Sequence, residues 1–140
     1  MSDSLSSRDA ITSTKLSPPV GPFSHAVRAG VAERDLVYLS GQTGQDPASG
    51  RLAEGGTVAE AAQALRNLTT VLEAAGLTTD DVIKVNIYLV DMGDFAAVNA
   101  EYARHFRAPY PARTTIAVAA LPLGARVELE MIAADRRASR

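Results

Sequence analysis

Residues 57–92 read TVAEAAQALRNLTTVLEAAGLTTDDVIKVNIYLVDM, and the fold turns on where this stretch changes period. Ala61, Ala64, Leu65, Leu68, Val71, Leu72 and Ala75 recur at helical spacing. Thr57 and Glu60 form a Thr-x-x-Glu capping box at the start. Gly76 stands where a glycine ends a helix, and Leu77 can make the accompanying apolar contact. Asp80 and Asp81 follow as turn and capping residues. Residues 81–92 then become a β-rich run with apolar side chains on both parities, the mark of a central strand.

Working outward, SHAVRAG (24–30) and DLVYLSGQ (35–42) read as two strands with a turn near Glu33–Asp35. SPPVGPF (17–23) is a Pro/Gly entry loop, and TGQDPASGRLAEGG (43–56) an ordered surface loop. Asp94 is a candidate N-cap for a second helix, FAAVNAEYARHF, with Phe95, Val98, Tyr102 and Phe106 as its apolar stripe. RTTIAVAA (113–120) and ARVELEMIAAD (125–135) are strands joined by LPLG. The order ββαβαββ implies an α+β fold, a single layer of sheet with two helices on one face. Residues 1–16 read as a flexible arm, 17–135 as the domain and 136–140 as a tail.

Strand alternation assigns faces. Ile116, Val118, Val127, Leu129 and Met131 form the apolar set expected to meet the helices. Arg113, Thr115, Glu128 and Glu130 then share the opposite face. If the last two strands pair through LPLG, Arg113 lies on the same face as an acidic residue. A wet sheet face would explain this. Yet that face also carries Ile132 and a run of alanines, which points to self-association.

Composition narrows the function. The chain has 140 residues, 46 % apolar and 21 % charged, the balance of one globular domain. A formal net charge of −2 argues against a nucleic-acid partner. There is no cysteine, which removes disulfides and thiolate chemistry. No apolar run reaches the ~20 residues of a membrane span, and the first residues lack a signal-peptide core. The expected setting is the cytoplasm. HExxH, Walker A, GxGxxG and GxSxG motifs are absent. His105 reads as a surface residue at a helix C-terminus; His25, after the entry loop, is open to a pocket-lining role.

GPFSHAV (21–27), YLSGQTGQDPASG (38–50), residues 67–102 and YPARTTIAVAALPLGARVELEMIA (110–133) resemble the RidA/YjgF family of reactive-intermediate deaminases. The resemblance spans roughly residues 17–135. It implies a chorismate-mutase-like fold that forms a homotrimer with ligand clefts between subunits. It implies hydrolysis of 2-imino or 2-enamino acids to 2-keto acids and ammonia, without a metal or organic cofactor. Arg113 matches the family's substrate-carboxylate clamp, and a guanidinium suits that task because it presents two parallel donors. Glu128 matches the glutamate that positions water and carries protons. Ser40 matches a serine beside the substrate, Asn99 an asparagine of the second helix, and Thr115 a position where relatives commonly carry Cys. Phe23 replaces a family tyrosine, so a stacking surface stays and a hydroxyl is lost. The stretch from Asn99 to Arg113 is shorter than in familiar relatives. The resemblance leaves open a deaminase devoted to one pathway, acting on aminoacrylate- or aminomuconate-like enamines, and a non-catalytic trimer that binds carboxylates or a partner protein. Some family members have been described as ribonucleases, which the acidic balance of this chain disfavours.

Overall fold

A computed structural model of the chain describes residues 8–19, 21–31 and 34–135. Residues 1–7 of the expected arm, Glu33 of the expected turn and the tail at 136–140 lie outside the described residues. The strands are β1 (Arg8–Ile11), β2 (Ala26–Val31), β3 (Arg34–Thr43), β4 (Val82–Leu89), β5 (Ala112–Ala117) and β6 (Val127–Asp135). The helices are α1 (Thr57–Ala74), between β3 and β4, and α2 (Phe95–Tyr102), between β4 and β5. They form an α+β fold with one six-stranded sheet in the order β1-β2-β3-β6-β4-β5.

β1 is a correction to the sequence reading, because residues 8–11 of the arm pair antiparallel with β2, Arg8 across from Ala29 and Ile11 across from Ala26. So short a segment has no periodicity of its own; the exposed edge of β2 recruits it.

α1 ends as expected. Gly76 has φ 78°, and the Leu77 N–H donates to the Leu72 carbonyl at 2.8 Å. Its start differs. The residue before the helix is Gly56, with no side-chain cap. Thr57 Oγ1 instead donates to Asp94 Oδ2 at 2.8 Å, and Glu60 Oε1 accepts from the Arg126 N–H at 2.8 Å. Both cap residues face other elements, so tertiary partners displace the local box. Asp94 precedes α2 without capping it through its side chain. Asp80 and Asp81 sit in a 3₁₀ turn that Thr78 opens with a reciprocal capping box, as their spacing suggested.

The core lies between the sheet and the helices. Leu65, Leu68, Val71 and Leu72 of α1 pack with Val85, Ile87 and Leu89 of β4 and Val127, Leu129 and Met131 of β6. Their buried apolar area, at roughly 25 cal/mol per Å², is the main stabilising term. Arg28 enters this layer from β2. Its guanidinium donates to Asp35 at 3.2 Å, to Asp135 at 2.8 Å and to the Ala75 carbonyl at 2.6 Å, tying three strands to the end of α1. Burial opposes the charge on Arg28, but its two aspartate partners raise its pKa overall.

Strand pairing corrects the face assignment. β5 pairs with β4, in parallel, and never touches β6; β4 lies between them. Arg113 stands across from Val85 and Thr115 across from Ile87, both buried positions on the helix side. Glu128 stands across from Tyr88 on the other side. Arg113 and Thr115 therefore face α2, while Ile116, expected beneath the helices, is 46 % exposed on the open face. The apolar rule fails here because β5 is an edge strand, and α2 offers it aromatic rings and an amide in place of an aliphatic layer.

Candidate active site

The sequence-derived residues collect in two places, one on each side of the sheet. Glu128, Ser40 and Phe23 line a cleft of about 470 Å³ on the open side. Its floor is the start of β6 and the end of β3. Its walls come from residues 16–19, Pro47, and Pro122 with Leu123.

The backbone builds this cleft. The register between β3 and β6 slips between Leu39 and Gln42, and the irregularity re-aims residues 40 and 41. Ser40 Oγ donates to the Ser24 carbonyl at 2.6 Å and the Ser40 N–H to the His25 carbonyl at 2.9 Å, which fixes the chain just after Phe23. Gly41 is bare where Glu128 lies; a Cβ there would collide with the Glu128 carboxylate. His25 is buried and works on both ring nitrogens. Nδ1 accepts from the Ser13 N–H at 3.0 Å, and Nε2 pairs at 3.0 Å with the Ser17 carbonyl, which can only accept. The histidine thus ties residues 13–17 to β2, and with them the wall at residues 16–19. Leu123 adopts φ 64° in the turn before β6 and reaches the cleft with half its surface exposed. Asn67 of α1 closes the inner end by donating to the Gln45 carbonyl at 2.8 Å.

Glu128 has no hydrogen-bond partner among the described residues. Burial raises its pKa above the usual carboxylate value, and the neighbouring Glu130 charge raises it further. A carboxyl that holds its proton more tightly than usual is suited to giving and taking one during a reaction.

The second group surrounds Arg113. Its Nη2 donates to Asn99 Oδ1 at 2.7 Å, and its guanidinium carbon lies 4.8 Å from the Tyr102 ring centre and 5.8 Å from that of Phe95. Amide and rings hold the planar cation without neutralising it. Among the described residues it has no carboxylate partner. The buried hydroxyls of Thr115 and Tyr102 also lack partners among the described residues. Burial pushes the Tyr102 pKa up to about 12, with Arg113 opposing. The resemblance alone put Asn99 among the candidates; that its amide accepts from Arg113 is a finding of the fold.

Within one chain, the two groups do not meet. The expectation that Arg113 and Glu128 share a face came from setting Ile116 and Val118 beneath the helices, and the register puts Arg113 there instead. Tyr102, Leu123 and the His25 tether went unrecognised. Tyr102 carried a signal, since an aromatic three residues after Asn99 shares its helix face. His105, read as a surface residue, is mostly covered and pairs with Glu101 at 2.8 Å. Among the described residues, no cluster of three or more His, Asp or Glu could hold a metal ion, and no helix is long and apolar enough to cross a membrane.

The family described as Endoribonuclease L-PSP matches residues 14–135. The chain is 48 % identical, over 90 % of each sequence, to a mouse protein named 2-iminobutanoate/2-iminopropanoate deaminase. Its fold matches the solved structure of RidA from the Antarctic bacterium Psychrobacter sp. with a TM-score of 0.83 at 42 % identity, covering 89 % of this chain and 98 % of that one. It matches yeast YEO7 with a TM-score of 0.86 at 38 % identity, covering 93 % and 100 %. The match runs through both halves of the site, from the wall at residues 16–19 to the carboxylates of β6, and the chain belongs to the Endoribonuclease L-PSP family, the RidA/YjgF family whose motifs it carries.

Proposed function

We propose that this protein hydrolyses 2-imino acids and their 2-enamino tautomers to 2-keto acids and ammonia, in a cleft that a second copy of the chain completes. The observation that carries the proposal is the split itself: an unneutralised guanidinium on one face of the sheet and an unpartnered, pKa-raised carboxyl on the other. Each is half of what an imino acid requires. Arg113 would hold the substrate carboxylate through two charge-assisted hydrogen bonds, each contributing on the order of 1.5–3 kcal/mol. Glu128 would carry the protons.

With an enamine, the Glu128 carboxyl gives its proton to C3 and leaves an iminium. The resulting carboxylate takes a proton from water as the water oxygen bonds to C2, forming a carbinolamine. Glu128 returns that proton to nitrogen, the C–N bond breaks with its electron pair leaving on ammonia, and the C2 hydroxyl gives its proton to the Glu128 carboxylate as it becomes the keto group, which restores the starting carboxyl. An imine substrate enters at the iminium. The sequence consumes one water and calls on no other reagent. Ser40 and Phe23 bound the side-chain end of the cleft, and Thr115 lies beside the carboxylate end.

The assembly we propose is a chorismate-mutase-like homotrimer with three such clefts, working in the cytoplasm. The open sheet face supports it, since Tyr38 and Ile116 are about half exposed there and no helix covers them. The test is to generate imine in place with an amino-acid oxidase or a threonine dehydratase and to follow keto-acid formation. Acceleration over buffer is expected. Assembled protein that binds keto acid without any acceleration would overturn the enzyme and leave a carboxylate-binding trimer.

Phe23 favours a second reading of the substrate. It is 47 % exposed in a cleft whose walls include Pro18, Pro19 and Leu123, which suits larger, apolar side chains and a deaminase devoted to one pathway. Rates across imines of increasing side-chain size separate a general from a dedicated enzyme.

A further inference from the structure

Glu128 shares its face of β6 with a second carboxylate, and the two are treated differently by the sheet. Asn86 stands across from Glu130, and Tyr88 across from Glu128. Asn86 Nδ2 donates to Glu130 Oε2 at 2.9 Å, as its place in the register allows. Tyr88 does not serve its own cross-strand neighbour. Its hydroxyl reaches diagonally and donates to the same Glu130 oxygen at 2.7 Å. Among the described residues Glu130 thus collects two donors and Glu128 none. Donors of this kind stabilise the ionised form of the group that receives them.

We infer that Glu130, held by Asn86 and Tyr88, is a positioning residue for the proton of Glu128: both carboxylates line the cleft, and the one fixed by two donors keeps the proton of the pair on the other. This rests on the reading of Glu128 as the acid–base group. Two carboxylates that interact strongly titrate as a pair, and without a bias the proton would divide between them. The bias here is built from neutral donors, so it adds no positive charge that would pull Glu128 towards ionisation. The neighbouring charge also accounts for part of the rise in the Glu128 pKa, after burial.

The other titratable groups on this side do not compete for the role. Lys84, on the same face of β4, donates to Thr114 Oγ1 at 3.0 Å on β5. His25, which lines the cleft, is engaged at both nitrogens by Ser13 and Ser17. Tyr38 of β3 stands across from Ile132, further along β6. The stretch of β3 nearest Glu128 brings Ser40, Gly41 and Gln42, all uncharged.

The test is carboxyl-carbon NMR of the assembled protein labelled in glutamate, with the Glu128 signal assigned by its loss in Glu128→Gln, alongside the pH profile of kcat/KM. In Glu130→Gln the Glu128 midpoint is expected to move to lower pH, and the limb of the rate profile to move with it. In Tyr88→Phe, which removes one hydroxyl and leaves the ring, the proton becomes shared and the Glu128 signal titrates in two steps. An unmoved or raised midpoint in Glu130→Gln overturns the inference. Should that variant fail to fold, an unchanged Glu128 titration in Tyr88→Phe overturns it. Glu128→Gln separates this failure from that of the parent reading. If it is inactive while the Glu128 midpoint ignores Glu130, only the present inference falls. If it keeps full activity, the acid–base assignment falls.

Discussion

Arg113 and Glu128 lie on opposite faces of one sheet, Arg113 across from Val85 on the helix side and Glu128 across from Tyr88 on the open side. A site that uses both must draw them from different copies. Arg113→Ala and Glu128→Gln should each lower kcat/KM by about 100-fold or more. Mixed and allowed to exchange subunits, the two inactive proteins should recover about a quarter of native activity, the share of clefts in a random ring that pair a native Arg113 with a native Glu128. Activity of the mixture against exchange time checks this, and no recovery after proven exchange would refute the composite site.

Arg113→Lys should retain the charge and lose the function of the plane. Lysine cannot stack on Tyr102 or offer two parallel donors, so KM should rise by about tenfold or more while kcat falls less. Tyr102→Leu should reproduce a milder form of this effect and Tyr102→Phe should not, because the ring, and not the hydroxyl, faces the guanidinium at 4.8 Å. Steady-state kinetics on the three variants would show it.

Gly41→Ala should separate activity from stability. The atoms nearest the added methyl all belong to the Glu128 side chain, which can swing away at little cost to the fold. The expected result is a Tm close to native and a kcat reduced by about tenfold or more, since a small displacement of a proton carrier is costly. A large fall in Tm would show that residue 41 serves the fold.

The raised pKa of Glu128 has a signed consequence for stability. Between its unfolded and its higher folded pKa, the native state binds more protons than the unfolded one, so Glu128 costs stability as pH rises through that window. Glu128→Gln should raise Tm at pH 7 and lose the advantage as pH falls below the unfolded glutamate value. Melting curves at pH 7 and near pH 4 test the sign; the opposite trend would mean that an unrecognised donor holds the carboxylate.

Much of this was legible in the sequence, and the exceptions share a cause. The span of α1, its stop at Gly76 and the order of the elements from β2 onward are local matters, written in periodicity and turn chemistry. Phe23, Ser40 and Glu128 were gathered by resemblance, and they do line one cleft. Strand neighbours are not local. On the edge strand β5 the apolar Ile116 faces out and Arg113 faces the helices, and no pattern within residues 110–120 reports that the strand will lie at an edge beside β4. Thr57 and Glu60 show the same limit. Their spacing is that of a capping box, yet Asp94 and the Arg126 N–H, each distant in sequence, claim their side chains.

The strand order also bears on how the chain is made. β6 is the last of the described strands to leave a ribosome, and it occupies the middle of the sheet, between β3 and β4. Until it emerges, β1 to β3 form one ribbon and β4 with β5 another, each with a naked inner edge and no strand pairing between them. The contacts that close the domain thus span nearly its full length, as in Asp35 against Asp135, a topology that folds slowly. Nascent chains stalled before Val127 should therefore be the species that most need protection from one another.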